Sequence, residues 1–133
     1  PAMIRKFHEA KINKSDVFLW GNGKSLREFL YVDDLSDAIL FSLENKLNDN
    51  IYNVGTGKEI TIKDLASKIQ KIIGHKGNII WDNKMLNGTP RKLMDISKMK
   101  KMGWSYSTKL DEGIEKTYKW FLENVNCNKT MRL

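Results

Sequence analysis

The sequence has one cysteine, Cys127, and two prolines, Pro1 and Pro90, in 133 residues. A lone cysteine excludes an intrachain disulfide framework and fits a reducing, cytoplasmic compartment. No run is apolar enough to read as a membrane span. Histidine is almost as scarce, and neither His8 nor His75 has cysteine or carboxylates at metal-ligand spacing. Both therefore read as solvated surface, and no zinc site is expected. Arginine is rare too: Lys and Arg together number 23, yet the arginines are Arg5, Arg27, Arg91 and Arg132 alone. Lysine is the default surface cation, so Arg27 and Arg91 draw attention as planar, bidentate donors.

The missing motifs exclude chemistry as well. Gly21-Asn22-Gly23 continues as Lys-Ser-Leu, and Gly55-Thr56-Gly57 as Lys-Glu-Ile, so neither makes a G-x-G-x-x-G or a P-loop. No tyrosine is followed four places on by lysine.

What is present is a foldable chain with 41% hydrophobic residues, four Trp and a net charge of +7. That charge favours anionic partners, or simply a Lys-rich solvated surface. The spacing of Met3, Ile4 and Phe7 predicts a first helix. "VFLW" (17–20) and "REFLYV" (27–32) read as two strands of a hairpin joined by "GNGKSL". Asp33 or Asp34 should cap a helix over 34–45 whose buried stripe is Leu35, Ala38, Ile39 and Leu43. "IYNVG" (51–55) reads as a buried strand. Thr61 and Asp64 have capping-box spacing before a helix with Ile62, Leu65, Ile69 and Ile72 inward, stopped by Gly74. "NIIW" (78–81) is another strand. Asp95 should cap a short helix ending at Gly103. Thr108 and Asp111 repeat the box before a last helix with Leu110, Ile114, Thr117, Phe121 and Val125 inward. These assignments give one region over 1–125 and a frayed tail over 126–133.

Two clusters carry candidate chemistry. In the expected hairpin Trp20 and Arg27 fall near each other, and an indole face with a guanidinium can hold a base or sugar plus a phosphate. The same pair could equally steady the hairpin by a cation–π contact. In "NGTPRKLMD" (87–95), Pro90 stiffens the backbone ahead of Arg91 and Lys92, so little ordering entropy is lost on gripping an anion. The plainer alternative is a lead-in to a helix with its charges in water.

"REFLYVDDLSDA" followed by "YNVGTG" resembles the C-terminal half of the extended short-chain dehydrogenase/reductases that act on nucleotide-sugars. "PAMIRKFHEAK", "LWGNGKSLREFLYVDD", "NGTPRKLMDISKMKKMGW" and "LDEGIEKTYKWFLEN" are similar to the GDP-L-fucose synthase group within that family. The resemblance implies an α/β fold made of short mixed strands and helices, the substrate-binding portion without the Rossmann cofactor core. It implies a GDP-sugar as substrate, here GDP-4-keto-6-deoxymannose converted to GDP-L-fucose by an NADP-dependent epimerase/reductase. In that family the cofactor loop and the catalytic residues lie upstream of the matching region. This chain is thus expected to be a C-terminal fragment, inactive alone and without bound NADP. Helix 34–45 would be a surface that packs on the cofactor domain, and self-association, as a homodimer, is expected in compensation. By the same likeness Trp20 and Arg27 match residues that contact the GDP-sugar, and Lys6 lies where the family has a basic residue at the diphosphate. Lys92 matches the lysine of "GTPRK", with Arg91 beside it. Asn87 departs from an Asp common at that place; it keeps one carbonyl acceptor for nucleotide hydroxyls or base but loses the charge. Another GDP-linked 4-keto sugar, such as a heptose, or a non-catalytic nucleotide-sugar module, fits the same residues. No nucleic-acid motif accompanies the cations, which are dispersed among acids, so no nucleic-acid or membrane partner is expected.

Overall fold

The computed structural model describes residues 2–47, 51–85 and 88–124. Five helices and five short strands are interspersed along these residues. Helix α1 (Ala2–Asn13) turns its Ile4, Phe7 and Ala10 inward, as the 3–4 spacing dictates. It runs into β1 (Val17–Trp20), where a period of two sends Val17 and Leu19 to the core and leaves Phe18 and Trp20 outside.

β1 does not form a hairpin with the next strand. It pairs in parallel with β4 (Ile79–Asp82), Val17 opposite Ile79 and Trp20 opposite Asp82. The second expected strand shrinks to β2 (Leu26–Glu28), the middle of a separate three-stranded sheet. Antiparallel β3 (Glu59–Thr61) flanks it on one side, and parallel β5 (Arg91–Lys92) on the other. Loop 21–25 is therefore a passage between sheets. Gly21 N–H donates to the Asp82 carbonyl, and Lys63 N–H to the Gly23 carbonyl. Gly23 lies at φ +69, and a Cβ there would come within 2.7 Å of the Trp81 ring, so glycine is needed twice over.

α3 (Ile62–Ile73) begins and ends as its sequence requires. The Thr61 hydroxyl accepts from Asp64 N–H at 3.0 Å, and Gly74 closes the helix in the left-handed region. Its buried Leu65, Ala66, Ile69 and Ile73 join α1, β1 and Ile114 of α5 (Leu110–Asn124) in the main core. His75 is built into this core rather than solvated. Its Nε2 lies 2.8 Å from the Ser15 carbonyl, and its ring meets Phe7 edge-on at 5.6 Å. His8 is half-buried against Tyr118 and Phe121.

A smaller core gathers Ala38, Met99 and Trp104, with Leu30, Phe41, Tyr52, Val54 and Tyr106 around it. It lies against α2 (Val32–Glu44), and α4 (Ser97–Met102) supplies Met99 before Gly103 stops that helix at φ 100. Two expectations fail here. Of the supposed α2 stripe only Ala38 is buried; Leu35, Ile39 and Leu43 face solvent. Residues 51–55 join neither sheet. β-rich composition does not make a strand where no neighbouring strand offers its backbone. Nor does Asp33 or Asp34 cap α2, for Tyr31 stands at that position without a side-chain cap. Asp34 instead reaches across to accept from Ser107 N–H and Oγ–H, both at 2.9 Å. At α5 the expected box gives way to another arrangement: the helix starts at Leu110, and the Thr108 N–H goes to the Asp34 carboxylate. Asp95 is not the cap of α4 either: that position is Ile96, without a side-chain cap, and Asp95, one residue earlier, accepts Ser97 N–H at 2.9 Å. Val125 and the tail from 126 onward lie outside the described residues.

Candidate functional site

The alternation of β1 that buries Leu19 also displays Trp20, which is 69% exposed. Lys6, on the outer side of α1, donates from Nζ to the Phe18 carbonyl at 3.2 Å. That bond parks the ammonium 5.7 Å from the centre of the Trp20 ring. Lys6 and Trp20 thus form one unit, a cation beside an open aromatic face.

Arg27 belongs to a second unit. As a residue of the central strand β2 it is opposite Lys92 on one side and Ile60 on the other. Directly opposed residues share a face of a sheet, so Arg27 and Lys92 share one. The Arg27 guanidinium bonds the Leu26 carbonyl through Nη1 at 2.6 Å. A Cβ on Gly88 would meet its Nη2 at 3.2 Å, so the Gly88-Thr89-Pro90 backbone passes close over the guanidinium. The Pro90 carbonyl accepts Leu26 N–H at 2.8 Å, which fixes this passage to β2.

Arg91 is opposite Leu26, on the other face. There its Nε donates to Glu59 Oε2 at 2.7 Å, and that bond, with the Glu59 charge, raises the Arg91 pKa further. The adjacent cations of the "RK" pair are therefore divided between the two faces by strand alternation. The hairpin expected to bring Trp20 and Arg27 together does not form, and the two lie in different sheets. Asn87 lies outside the described residues.

β3 and β5, which complete the second unit, are not visible as strands in the sequence. Three and two residues long, they exist by pairing with β2. The extended backbone imposed by Pro90 was the available signal for β5. Glu28, the far end of β2, also escaped notice; its carboxylate holds backbone groups from two loops. A large apolar cavity of about 530 Å³, lined by Phe29, Val32, Leu65 and Ile114 among others, lies between α1, α3 and α5 and includes none of Lys6, Trp20, Arg27 or Lys92.

Residues 1–55 match the profile of the NAD dependent epimerase/dehydratase family. The fold agrees: it is part of the fold of the extended short-chain dehydrogenase/reductases. More narrowly, the chain is 50% identical over 126 residues to the probable GDP-L-fucose synthase 1 of Oryza sativa subsp. japonica, covering 94% of this chain and 38% of that protein. Among solved structures it resembles the GDP-L-fucose synthetase of Naegleria fowleri with a TM-score of 0.89 and 27% identity, over 95% of this chain and 39% of that one. It also resembles the GDP-mannoheptose C4 reductase of Campylobacter jejuni, solved with NADP bound, with a TM-score of 0.79 and 33% identity over 92% and 44% of the two chains. The chain is a sequence relative of the GDP-L-fucose synthases and spans about two fifths of their length.

Proposed function

We propose that this chain is the GDP-sugar-binding portion of an NADP-dependent epimerase/reductase that makes GDP-L-fucose from GDP-4-keto-6-deoxymannose. The observation that carries the reading is the 50% identity to a probable GDP-L-fucose synthase across nearly the whole chain. Trp20 offers its open face to the nucleotide or sugar, with Lys6 drawn toward the diphosphate. Arg27 and Lys92, together on one sheet face, supply the main anion grip. Arg91 contributes less, being held by Glu59. Asn87 is assigned to the nucleotide hydroxyls or base. The sequence carries neither a G-x-G-x-x-G nor a Tyr four places before a Lys. NADP binding and hydride transfer therefore belong to the part of the relatives that this chain does not span. Alone it should oxidise no NADPH when given the keto-sugar, and turnover above a buffer control would overturn that assignment.

A GDP-linked heptose is the second substrate reading, supported by the 33% identity to the GDP-mannoheptose reductase. Self-association through the apolar face of α2 is part of the proposal. Among the described residues no helix is long and apolar enough to cross a membrane.

Titration of GDP into the protein by calorimetry tests the site. Charge-assisted hydrogen bonds to phosphate contribute about 1.5–3 kcal/mol each, so Arg27→Ala should weaken GDP by about one to two powers of ten. Arg27→Lys should recover little, and added salt should weaken the wild type. Equal affinities with a lowered melting temperature would make Arg27 purely structural.

A further inference from the structure

Glu28 stands next to Arg27 on β2, yet strand alternation turns it to the opposite face. There its carboxylate is the meeting point of two loops. Oε1 accepts Gly57 N–H at 2.6 Å, with the Thr56 hydroxyl at 3.3 Å. Oε2 accepts Met94 N–H at 3.1 Å. The first loop leads into β3, which carries Glu59, the partner of Arg91. The second follows β5, which carries Arg91 and Lys92. One side chain thus fixes the strands on both sides of Arg27 relative to it.

The surroundings are shaped to this contact. A Cβ on Gly55 would lie 2.9 Å from the Glu28 carboxyl carbon, so a side chain there would have to displace the carboxylate from its contacts. Gly57 takes φ +66, where its N–H is presented to Oε1 and a Cβ would strike the Ile96 side chain at 2.9 Å. Asn53 adds a parallel strap, donating from Nδ2 to the Asp95 carbonyl at 3.1 Å.

A carboxylate is an odd neighbour for a site that grips an anion. By charge alone it disfavours phosphate, and its removal would tighten binding. Its three acceptor contacts point to another role. Resting on the GDP-sugar reading above, we infer that Glu28 is the positioning residue of the anion grip: it sets the spacing of β3, β2 and β5 so that Arg27 and Lys92 present their cations together.

The two effects of removing the charge have opposite signs, which makes Glu28→Gln decisive. The amide keeps one acceptor but turns an N–H donor toward the Met94 or Gly57 N–H. GDP affinity, read by calorimetry, should fall by about three- to tenfold despite the lost negative charge. In an Arg27→Ala background the same change should weaken GDP by less than it does in the wild type, because one of the two cations being positioned is gone. Asp34→Asn, remote from the grip, should lower the melting temperature without this loss of affinity. If Glu28→Gln folds poorly, the wild type still answers: GDP should slow hydrogen exchange at the Gly57 and Met94 amides by about tenfold. Unchanged or tighter GDP binding by Glu28→Gln, or exchange indifferent to GDP, overturns the inference while leaving the site intact. A wild type that ignores GDP, or an Arg27→Ala variant that binds it equally well, overturns the site and the inference with it.

Discussion

Helices α2 and α3 are nearly the same length and both rich in apolar residues, yet they treat them in opposite ways. α3 buries Leu65, Ala66, Ile69 and Ile73 between α1 and α5, and its charged residues face water. α2 is inverted. Asp34, 5% exposed, faces the protein, as does Ala38, and Asp37 accepts the Trp104 indole N–H at 2.9 Å. Val32, Leu35, Ile39, Leu40 and Leu43 lie on its outside, Leu43 at 79% exposure. An amphipathic pattern says which residues seek cover, and only the rest of the structure says which of them find it. α2 is seated by Ala38, Phe41 and polar contacts and leaves its other large apolar residues unmet, a surface of the kind that marks an interface.

The difference can be tested in steps of decreasing effect. Phe7 is fully buried in the core that α3 completes. Phe7→Ala should cost about 3–5 kcal/mol, whereas Ile39→Ala on the outside of α2 should stay within about 0.5 kcal/mol. Urea melts of the two variants measure both, and a comparable loss from Ile39→Ala would mean that α2 is already covered.

Asp34 comes next. Burial alone would push its pKa up, but the backbone and side-chain hydrogen bonds from Ser107, joined by those from Thr108, outweigh this and hold it below the ordinary value of 3.8. A lowered folded-state pKa means that its contribution is complete above the unfolded value and lost as pH falls through the folded one. Asp34→Ala should cost about 1–3 kcal/mol at neutral pH, by orphaning the Ser107 and Thr108 N–H groups. As pH falls below the ordinary value of 3.8 it should also flatten part of the decline in stability, with Asp95 and Glu112, whose pKa values are likewise lowered, keeping the remainder. An unchanged slope in melts across that range would deny Asp34 its role as the tie between α2 and the start of α5.

The smallest effect on stability accompanies the largest on assembly. Leu40→Glu combined with Leu43→Glu should leave the melting temperature nearly unchanged and convert an associating protein into a monomer by light scattering. A wild type that remains strictly monomeric at high concentration would count against association through this face.

The sequence made local chemistry legible and left distant pairing dark. Thr61, Asp64 and Gly74 delimit α3 by contacts within a few residues, so their meaning is written beside them. "VFLW" is equally clear as a strand, but its partner lies sixty residues later and in parallel. Nothing in the six residues after Trp20 rules out the hairpin that their turn propensity favours. The same limit governs the candidate site. Lys6, Trp20, Arg27, Arg91 and Lys92 could be singled out by type and resemblance. That Lys6 joins Trp20, that Arg27 joins Lys92, and that Arg91 turns away to Glu59 depends on register. The role of Glu28 is hidden in the sequence because it lies in two loops that the chain reaches only 29 and 66 residues later.

The placement of the tryptophans gives the molecule its own optical labels. Trp104 is sealed in the small core under α2, while Trp81 packs on the main core and over Gly23. Trp20 stands in water with an ammonium near its ring. Emission from Trp104 is blue-shifted and reports the α2 region alone, and Trp81 reports the junction between the two sheets. Trp20 and Trp120, 69% and 55% exposed, share the red-shifted component that a quencher in solution reaches first, and a stacked guanine would extinguish only the Trp20 part. In a Trp120→Phe background, one spectrum, resolved by wavelength and quenching, therefore reads the two cores and the open aromatic face separately, with no dye attached.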